Sequence, residues 1–228
     1  MIKKLNNIGD CGIVCDFGDE VNKSINTSVI KLFHHIKNQV SKGNLEGILN
    51  YTPSYNKLII NFDLEKINSA KIMEFVKSVD FSKLNISKNS KTWTIPVCYD
   101  FEMDLSNMSK ILKLSKDEII NIHLNTNFFI YMVGFIPGHP FMGDLNSKLF
   151  LNRLKTPRVK IPAGSVGIVE KFCNIYPYES PGGWNIIGRT PIKLFNKKDE
   201  SNPCLLSPGD TVKFKSISKK EFEKLNNE

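Results

Sequence analysis

Apolar side chains recur along the chain in two rhythms. Ile25, Val29, Ile30, Phe33, Ile36 and Val40 fall at helical spacing, and Gly43 is placed to end that helix. Ile67, Ile72, Phe75, Val76 and Val79 mark a second helix. Around them lie short β-type runs: Ile2 to Ile8, Gly12 to Phe17, Leu45 to Tyr51 and Lys57 to Phe62. Gly9-Asp10 joins the first pair as a hairpin turn, and Pro53, Ser54 and Asn56 separate the second pair. Two helices on one side of a small antiparallel sheet predict a ferredoxin-like α+β domain over residues 1–81. The segment Ser82 to Lys91 is polar and without sustained periodicity, which predicts a linker over 82–92 and a second domain over 93–228.

The second part begins with a strand from Trp93 to Tyr99. Two short helices follow, near Leu105 to Leu114 and Lys116 to Asn125, the latter opened by a capping box that starts at Ser115. Asn127 to Val133 is a strongly apolar strand. Beyond Gly134, Gly and Pro punctuate short apolar runs at Gly167 to Val169, Asn185 to Ile187, Ile192 to Phe195 and Thr211 to Phe214. That texture predicts a β-barrel or sandwich with long functional loops, followed by a short helix from Lys219.

Composition adds exclusions. The chain carries a formal net charge of +8, but its lysines are dispersed, greatly outnumber its arginines and are interleaved with acids near the C-terminus. This is a solvated surface, and nucleic acid is not expected as a partner. No apolar run reaches the length that spans a bilayer, and the N-terminal residues lack a signal-peptide pattern, so no membrane contact and a cytoplasmic location are expected. The five cysteines, Cys11, Cys15, Cys98, Cys173 and Cys204, form no C-x-x-C pair, so no metal site is expected and most read as small buried apolar residues.

Three stretches concentrate Gly and Pro around a few polar groups: GFIPGHPFMGDL from Gly134, PAGSVG from Pro162 and IYPYESPGGWNIIGRTP from Ile175. Glycines there permit close approach of another molecule to the backbone, and prolines reduce the entropy lost on binding. The candidate binding residues are Pro137, Gly138, His139, Pro140 and Phe141, then Pro162, Ala163, Gly164 and Ser165, then Tyr176, Ser180, Pro181, Gly182, Gly183 and Trp184. Tyr176 and Trp184 read as walls of an apolar pocket or anchors of an interface. Ser165 and Ser180 lie outside any G-x-S-x-G elbow and read as loop or ligand-binding hydroxyls. From composition alone, turn-rich loops serve equally to reverse the chain of a barrel.

In their order and spacing the three stretches resemble the family of 5-oxoprolinase B-type subunits, Kip-type sporulation-kinase inhibitors and allophanate hydrolase subunit 1 domains. Gly9-Asp10, Phe17-Gly18-Asp19, Ile95 to Tyr99 and His123 extend the resemblance over nearly the whole chain. It implies a ferredoxin-like domain followed by a cyclophilin-like barrel. It also implies a role as the B-type component of an ATP-dependent 5-oxoprolinase, inactive alone. A C-type subunit would be the direct partner, and an A-type subunit would activate the substrate. The alternatives are an inhibitor whose partner is a histidine kinase, or a relative of allophanate hydrolase and urea carboxylase. No G-x-x-x-x-G-K-[ST] loop is present, so this chain is expected to bind no cofactor itself, with ATP held by another subunit.

Four residues are candidates for chemistry at the implied site. Arg158 and Arg189 carry the guanidinium that pairs with carboxylate or phosphate, or else tie loops to backbone carbonyls. Glu179 would orient water or partner an arginine. His123 is an acid–base group near the barrel mouth or a hydrogen-bonded core histidine. The chain departs from the family pattern at three places. His139 stands where an aromatic is usual, Asp144 where Gly is common, and Cys173-Asn174 where Thr-Gly is favoured. His139 and Asp144 are expected to change the polarity of a loop that lines the site.

Overall fold

In the computed structural model, residues 2–84 and 90–227 are described. The chain forms two compact units, Met1–Ser90 and Lys91–Glu228. Residues 85–89 of the expected linker lie outside the described residues.

The first unit is a four-stranded antiparallel sheet with two helices. β1 (Lys4–Asn7) and β2 (Gly12–Asp16) form the expected hairpin, with Gly9 at φ +60° in its turn. α1 (Lys23–Ser41) starts where the Asn22 side chain accepts from the Ile25 N–H, and Gly43 follows its end at φ +75°. β3 (Ile48–Pro53) and β4 (Lys57–Phe62) complete the sheet in the order β1-β2-β4-β3, and α2 (Ser69–Ser78) follows, capped by Asn68. The third strand begins later than its apolar pattern suggests. Gly47 at φ +96° holds a turn, so Leu45 is buried as a turn anchor rather than as a strand residue. The alternation in β4 sends Leu58, Ile60 and Phe62 inward, where Ile13, Cys15, Val29, Leu32, Ile36, Ile72 and Val76 meet them. Cys15 is therefore core, whereas Cys11 is exposed in the turn.

The second unit is built on a seven-stranded sheet. β5 (Thr92–Val97) precedes α3 (Leu105–Leu112) and α4 (Lys116–Leu124), whose Ser115–Glu118 capping box is formed in both directions. Then come β6 (Phe128–Val133), β7 (Pro140–Gly143), β8 (Arg158–Ile161), β9 (Ser165–Val169), β10 (Phe172–Ile175), β11 (Ser180–Gly182), β12 (Asn185–Arg189), β13 (Thr211–Ser216) and α5 (Lys219–Asn226). The large sheet runs β12-β9-β10-β7-β6-β13-β5; only β13 and β5 pair in parallel. Its outer strands are drawn together by an antiparallel bridge between Cys98 and Arg189, so the sheet is a nearly closed barrel. Asp210 pins the parallel pair: it accepts from the Lys91 N–H, the Trp93 indole N–H and the Ser207 N–H, at 2.8, 2.9 and 3.1 Å.

Several stretches expected as loops are strands. β7, β8, β10 and β11 are three or four residues long, and Pro140 and Pro181 fall at a strand start and in a two-stranded ribbon, positions that need no ladder N–H. Conversely, Ile192 to Phe195 is not a strand; only Phe195 bridges, to Cys204.

Barrel closure leaves no room for a side chain at Gly188. A Cβ there would stand 2.6 Å from the Val97 Cγ1 and 3.0 Å from the Cys98 carbonyl oxygen. Gly188→Ala is expected to lower stability by about 1–3 kcal/mol through overpacking, read as a lower urea midpoint with an unchanged slope.

Candidate functional site

Strands β8 and β11 form a two-stranded ribbon separate from the large sheet, paired through Ser180 with Ile161 and Gly182 with Arg158. Ile161 of β8, Ile186 of β12, Tyr176 and Trp184 make a small second core. Beside it lies a cavity of about 150 Å³. The first stretch contributes Phe135, His139 and Phe141 to its wall, and the third contributes Tyr176, Pro181, Gly182 and Trp184. Asn174 and Arg153 complete it.

Strand alternation explains this placement. On β10, Cys173 and Ile175 face the barrel core, so Asn174 faces the opposite side. Its register partner on β7 is Phe141, whose neighbour Met142 is core. The cavity thus lies on the outer face of the sheet, not at the barrel mouth where the loops alone would place it.

His139 is 2% exposed and hemmed in by rings. It stacks on Phe141 with centroids 4.8 Å apart and 6° between planes, and Tyr176 and Phe135 approach at 5.2 and 5.9 Å. The Asn174 amide N–H donates to the His139 Nε2 at 2.9 Å. Burial lowers the imidazole pKa to about 4, so the ring is neutral at physiological pH. Two of the departures from the family pattern, His139 and Asn174, are therefore bonded to each other. The third, Asp144, adopts φ +69°, a conformation natural to the glycine common in the family, and accepts a hydrogen bond from the Tyr131 hydroxyl.

The expected chemical residues are distributed differently. His123 is fully buried in the barrel core. Its Nδ1 meets the Tyr99 hydroxyl at 2.8 Å, its Nε2 meets the Cys173 sulfur at 3.7 Å, and its ring stacks on Phe214. This is the core placement of its two readings. Arg158 forms an ion pair with buried Asp104, whose second oxygen accepts from the Ile186 N–H at 2.7 Å. Arg189 donates from Nε to the Ala163 carbonyl at 2.7 Å and lies over the rings of Phe101 and Phe222. Both arginines thus help to hold the fold, while the Arg158 Nη1 is buried without a partner. Glu179 is an exposed residue paired with Lys160 at 3.1 Å.

The PAGSVG stretch also serves the scaffold. Gly164 at φ +80° donates to the Tyr176 carbonyl and accepts from Thr190, and its neighbour Ser165 opens β9. Pro162, Ala163, Gly164 and Ser165 do not line the cavity. Pro137 and Gly138 sit in the β6–β7 connection, where the Gly134 N–H donates to the His139 carbonyl, and Pro140 opens β7. The Ser180 hydroxyl is buried without a partner. Gly183 lies against Arg153: a Cβ there would stand 2.8 Å from the arginine Nε.

Arg153 was not among the expected residues. Among the described residues no carboxylate pairs with it. The signal was available in the composition. The chain has only Arg153, Arg158 and Arg189 among its 31 lysines and arginines, and a scarce guanidinium, which can pair with a carboxylate through two hydrogen bonds, is worth marking as a candidate. Among the described residues no cluster of His, Cys, Asp and Glu is arranged to hold a metal, and no helix is long and apolar enough to cross a membrane.

Comparison with known proteins adds four findings. The family model for the carboxyltransferase domain, subdomain C and D, matches residues 3–206. The B-type subunit of the 5-oxoprolinase of Bacillus subtilis is 35% identical over 232 residues, which is 96% of this chain and 95% of that protein. A urea amidolyase of Lachancea kluyveri is 22% identical over 95% of this chain, which corresponds to 13% of the enzyme. The crystal structure of TTHA0988 superposes with a TM-score of 0.80 at 28% identity, over 91% of this chain and 40% of that one.

The two buried imidazoles set a pH dependence. Both would titrate near 6.5 when unfolded, but burial lowers them to about 3 for His123 and about 4 for His139. Below pH 6.5 the unfolded chain takes up protons that the fold refuses, so their contribution is complete above 6.5 and is lost as pH falls. Urea unfolding at stepped pH should show stability declining from pH 6.5 toward 4, with a shallower decline in His123→Phe. Parallel declines in the two proteins would mean that His123 is not responsible.

Proposed function

The chain belongs to the carboxyltransferase domain family of subdomains C and D, and from that premise we propose that it serves as the B-type subunit of an ATP-dependent 5-oxoprolinase. The observation that carries this reading is the 35% identity to the Bacillus subtilis B-type subunit over nearly the full length of both chains. In this reading the first unit is ferredoxin-like, the second is cyclophilin-like, and the protein works in the cytoplasm.

A five-membered lactam is a stable amide, so opening it in water needs an energy source. We assign activation to an A-type subunit, which transfers the γ-phosphoryl of ATP to the lactam oxygen. Water then adds to the activated ring carbon, the carbon–nitrogen bond breaks and the nitrogen takes up a proton to become the amine, and a second water displaces phosphate from the resulting acyl phosphate to give glutamate. We assign the ring-opening site jointly to this chain and a C-type subunit, with the outer-face cavity as this chain's share.

Two features support a shared site. The cavity holds roughly five waters' worth of space, enough for a compact ring but not for ATP. At its edge Phe135 is 75% exposed at φ +73°, a left-handed conformation that is unusual and costly for an aromatic residue. We assign this exposed ring to contact with the partner subunit. The urea amidolyase similarity favours a second reading, a role in carboxyl-group chemistry within a larger enzyme, but at 22% identity and 13% of that protein it fits less well.

The test is glutamate release from 5-oxoproline and ATP by candidate A-type and C-type subunits with and without this chain. Release should require all three, and Trp184→Ala should lower kcat/KM about tenfold or more. A verified three-part complex that makes no glutamate would reject the reading.

A further inference from the structure

His139 has one nitrogen that nothing in the chain satisfies. Its Nε2 accepts from the Asn174 amide, which leaves the hydrogen of the neutral ring on Nδ1. That Nδ1 is buried and without a hydrogen-bond partner. An orphaned buried donor costs about 1–3 kcal/mol, and proteins retain such groups where something else completes them. The donor direction is fixed, because Phe141 stacks flat on the ring at 4.8 Å and Asn174 holds the far nitrogen. Asn174 is itself fully buried and acts here as a positioning residue, setting which nitrogen carries the hydrogen.

Arg153 stands on the wall of the same cavity without a carboxylate among the described residues, its side chain against Gly183. The cavity therefore combines flat aromatic walls, one neutral N–H donor, the buried unpartnered Asn174 Oδ1 acceptor and one cation, in about 150 Å³. A compact planar ring carrying a carbonyl, a ring N–H and a carboxylate matches these features. The neutral donor suits a carbonyl oxygen, the guanidinium suits a carboxylate, and the aromatic rings suit a flat ring face.

We propose that His139 and Arg153 are the specificity-determining residues of this cavity. The His139 Nδ1–H donates to the ring carbonyl of the ligand, and Arg153 pairs with its carboxylate. The assignment of the lactam as that ligand rests on the oxoprolinase reading.

Titration calorimetry on the full chain tests it with three probes: 5-oxoproline, cyclopentanecarboxylate, which lacks the lactam, and 2-pyrrolidone, which lacks the carboxylate. Wild type should prefer 5-oxoproline to either analogue by at least about tenfold. His139→Phe should abolish the preference over cyclopentanecarboxylate and keep that over 2-pyrrolidone. Arg153→Gln should do the reverse. His139→Gln retains an N–H donor and should recover part of the first preference; it also serves if the Phe variant fails to fold. The proposal is overturned if wild type binds none of the probes, or if folded variants keep both preferences. The oxoprolinase reading fails separately: a complex that releases no glutamate while the chain binds with this pattern rejects the reading and leaves the cavity assignment standing.

Discussion

The second unit depends on the antiparallel bridge between Cys98 and Arg189. Two backbone hydrogen bonds, at 2.8 and 2.9 Å, join the end of β5 to the end of β12 and turn a seven-stranded sheet into a nearly closed barrel. Each bond contributes only about 1 kcal/mol net. Their value lies in removing two free edges at once, since unpaired strand edges invite pairing with other chains. The Arg189 side chain reinforces the seam by reaching the Ala163 carbonyl and lying over Phe101 and Phe222, the second of which brings α5 onto it. The bare backbone of Gly188 makes the approach possible. With β12 fixed, Ile186 is held outward and its N–H is held to Asp104, which in turn holds Arg158 and the β8–β11 ribbon.

That ribbon converts a plain sheet face into a cavity, and β10 shows how one strand serves both faces. Cys173 points in toward His123, and Asn174 points out toward His139. Both histidines are stripped of water and held neutral, but they differ in what remains available. His123 has contacts on both nitrogens, so nothing is left to offer a ligand. His139 has one contact and one orphaned nitrogen. Burial and a lowered pKa are shared by the two and do not separate a structural imidazole from an available one; the count of satisfied nitrogens does.

Much of the fold was legible in the sequence, because long helices and alternating strands write their burial directly into residue order. The capping box at Ser115, the helix ending before Gly43 and the alternation from Lys57 to Phe62 are local signals, and each appears where it was expected. The short strands were not legible. SPG in β11 and PFMG in β7 contain the residues that ordinarily break strands, and they persist only because a neighbouring strand supplies the pairing. The site was half legible. Its aromatic walls and His139 came from the Gly- and Pro-rich stretches. The side of the sheet on which they gather follows from register, which sequence spacing alone does not state.

The arginines show how a sequence leaves two roles open, ligand contact or loop tie, that only long-range contacts distinguish. Arg158 and Arg189 flank conspicuous motifs and carry the right group for an anionic ligand, yet each is tied into the fold, Arg158 through Nη2 to Asp104 with its Nη1 left buried and unpartnered. Occupancy is a long-range property: Asp104 lies 54 residues from Arg158, and the Ala163 carbonyl meets Arg189 across 26. Arg153 sits in a run with no motif, and of the three arginines it is the one with neither an ion pair nor a hydrogen bond of its own among the described residues. A guanidinium at the wall of an aromatic cavity costs little to hold when it remains in contact with water, as exposed Arg153 does. Buried Asp104, by contrast, would be costly without Arg158 and the Ile186 N–H. The same residue type is thus fixed where it neutralises a buried acid and left available where solvent supports it, so proximity to a motif is a weaker guide to ligand binding than the absence of an internal partner.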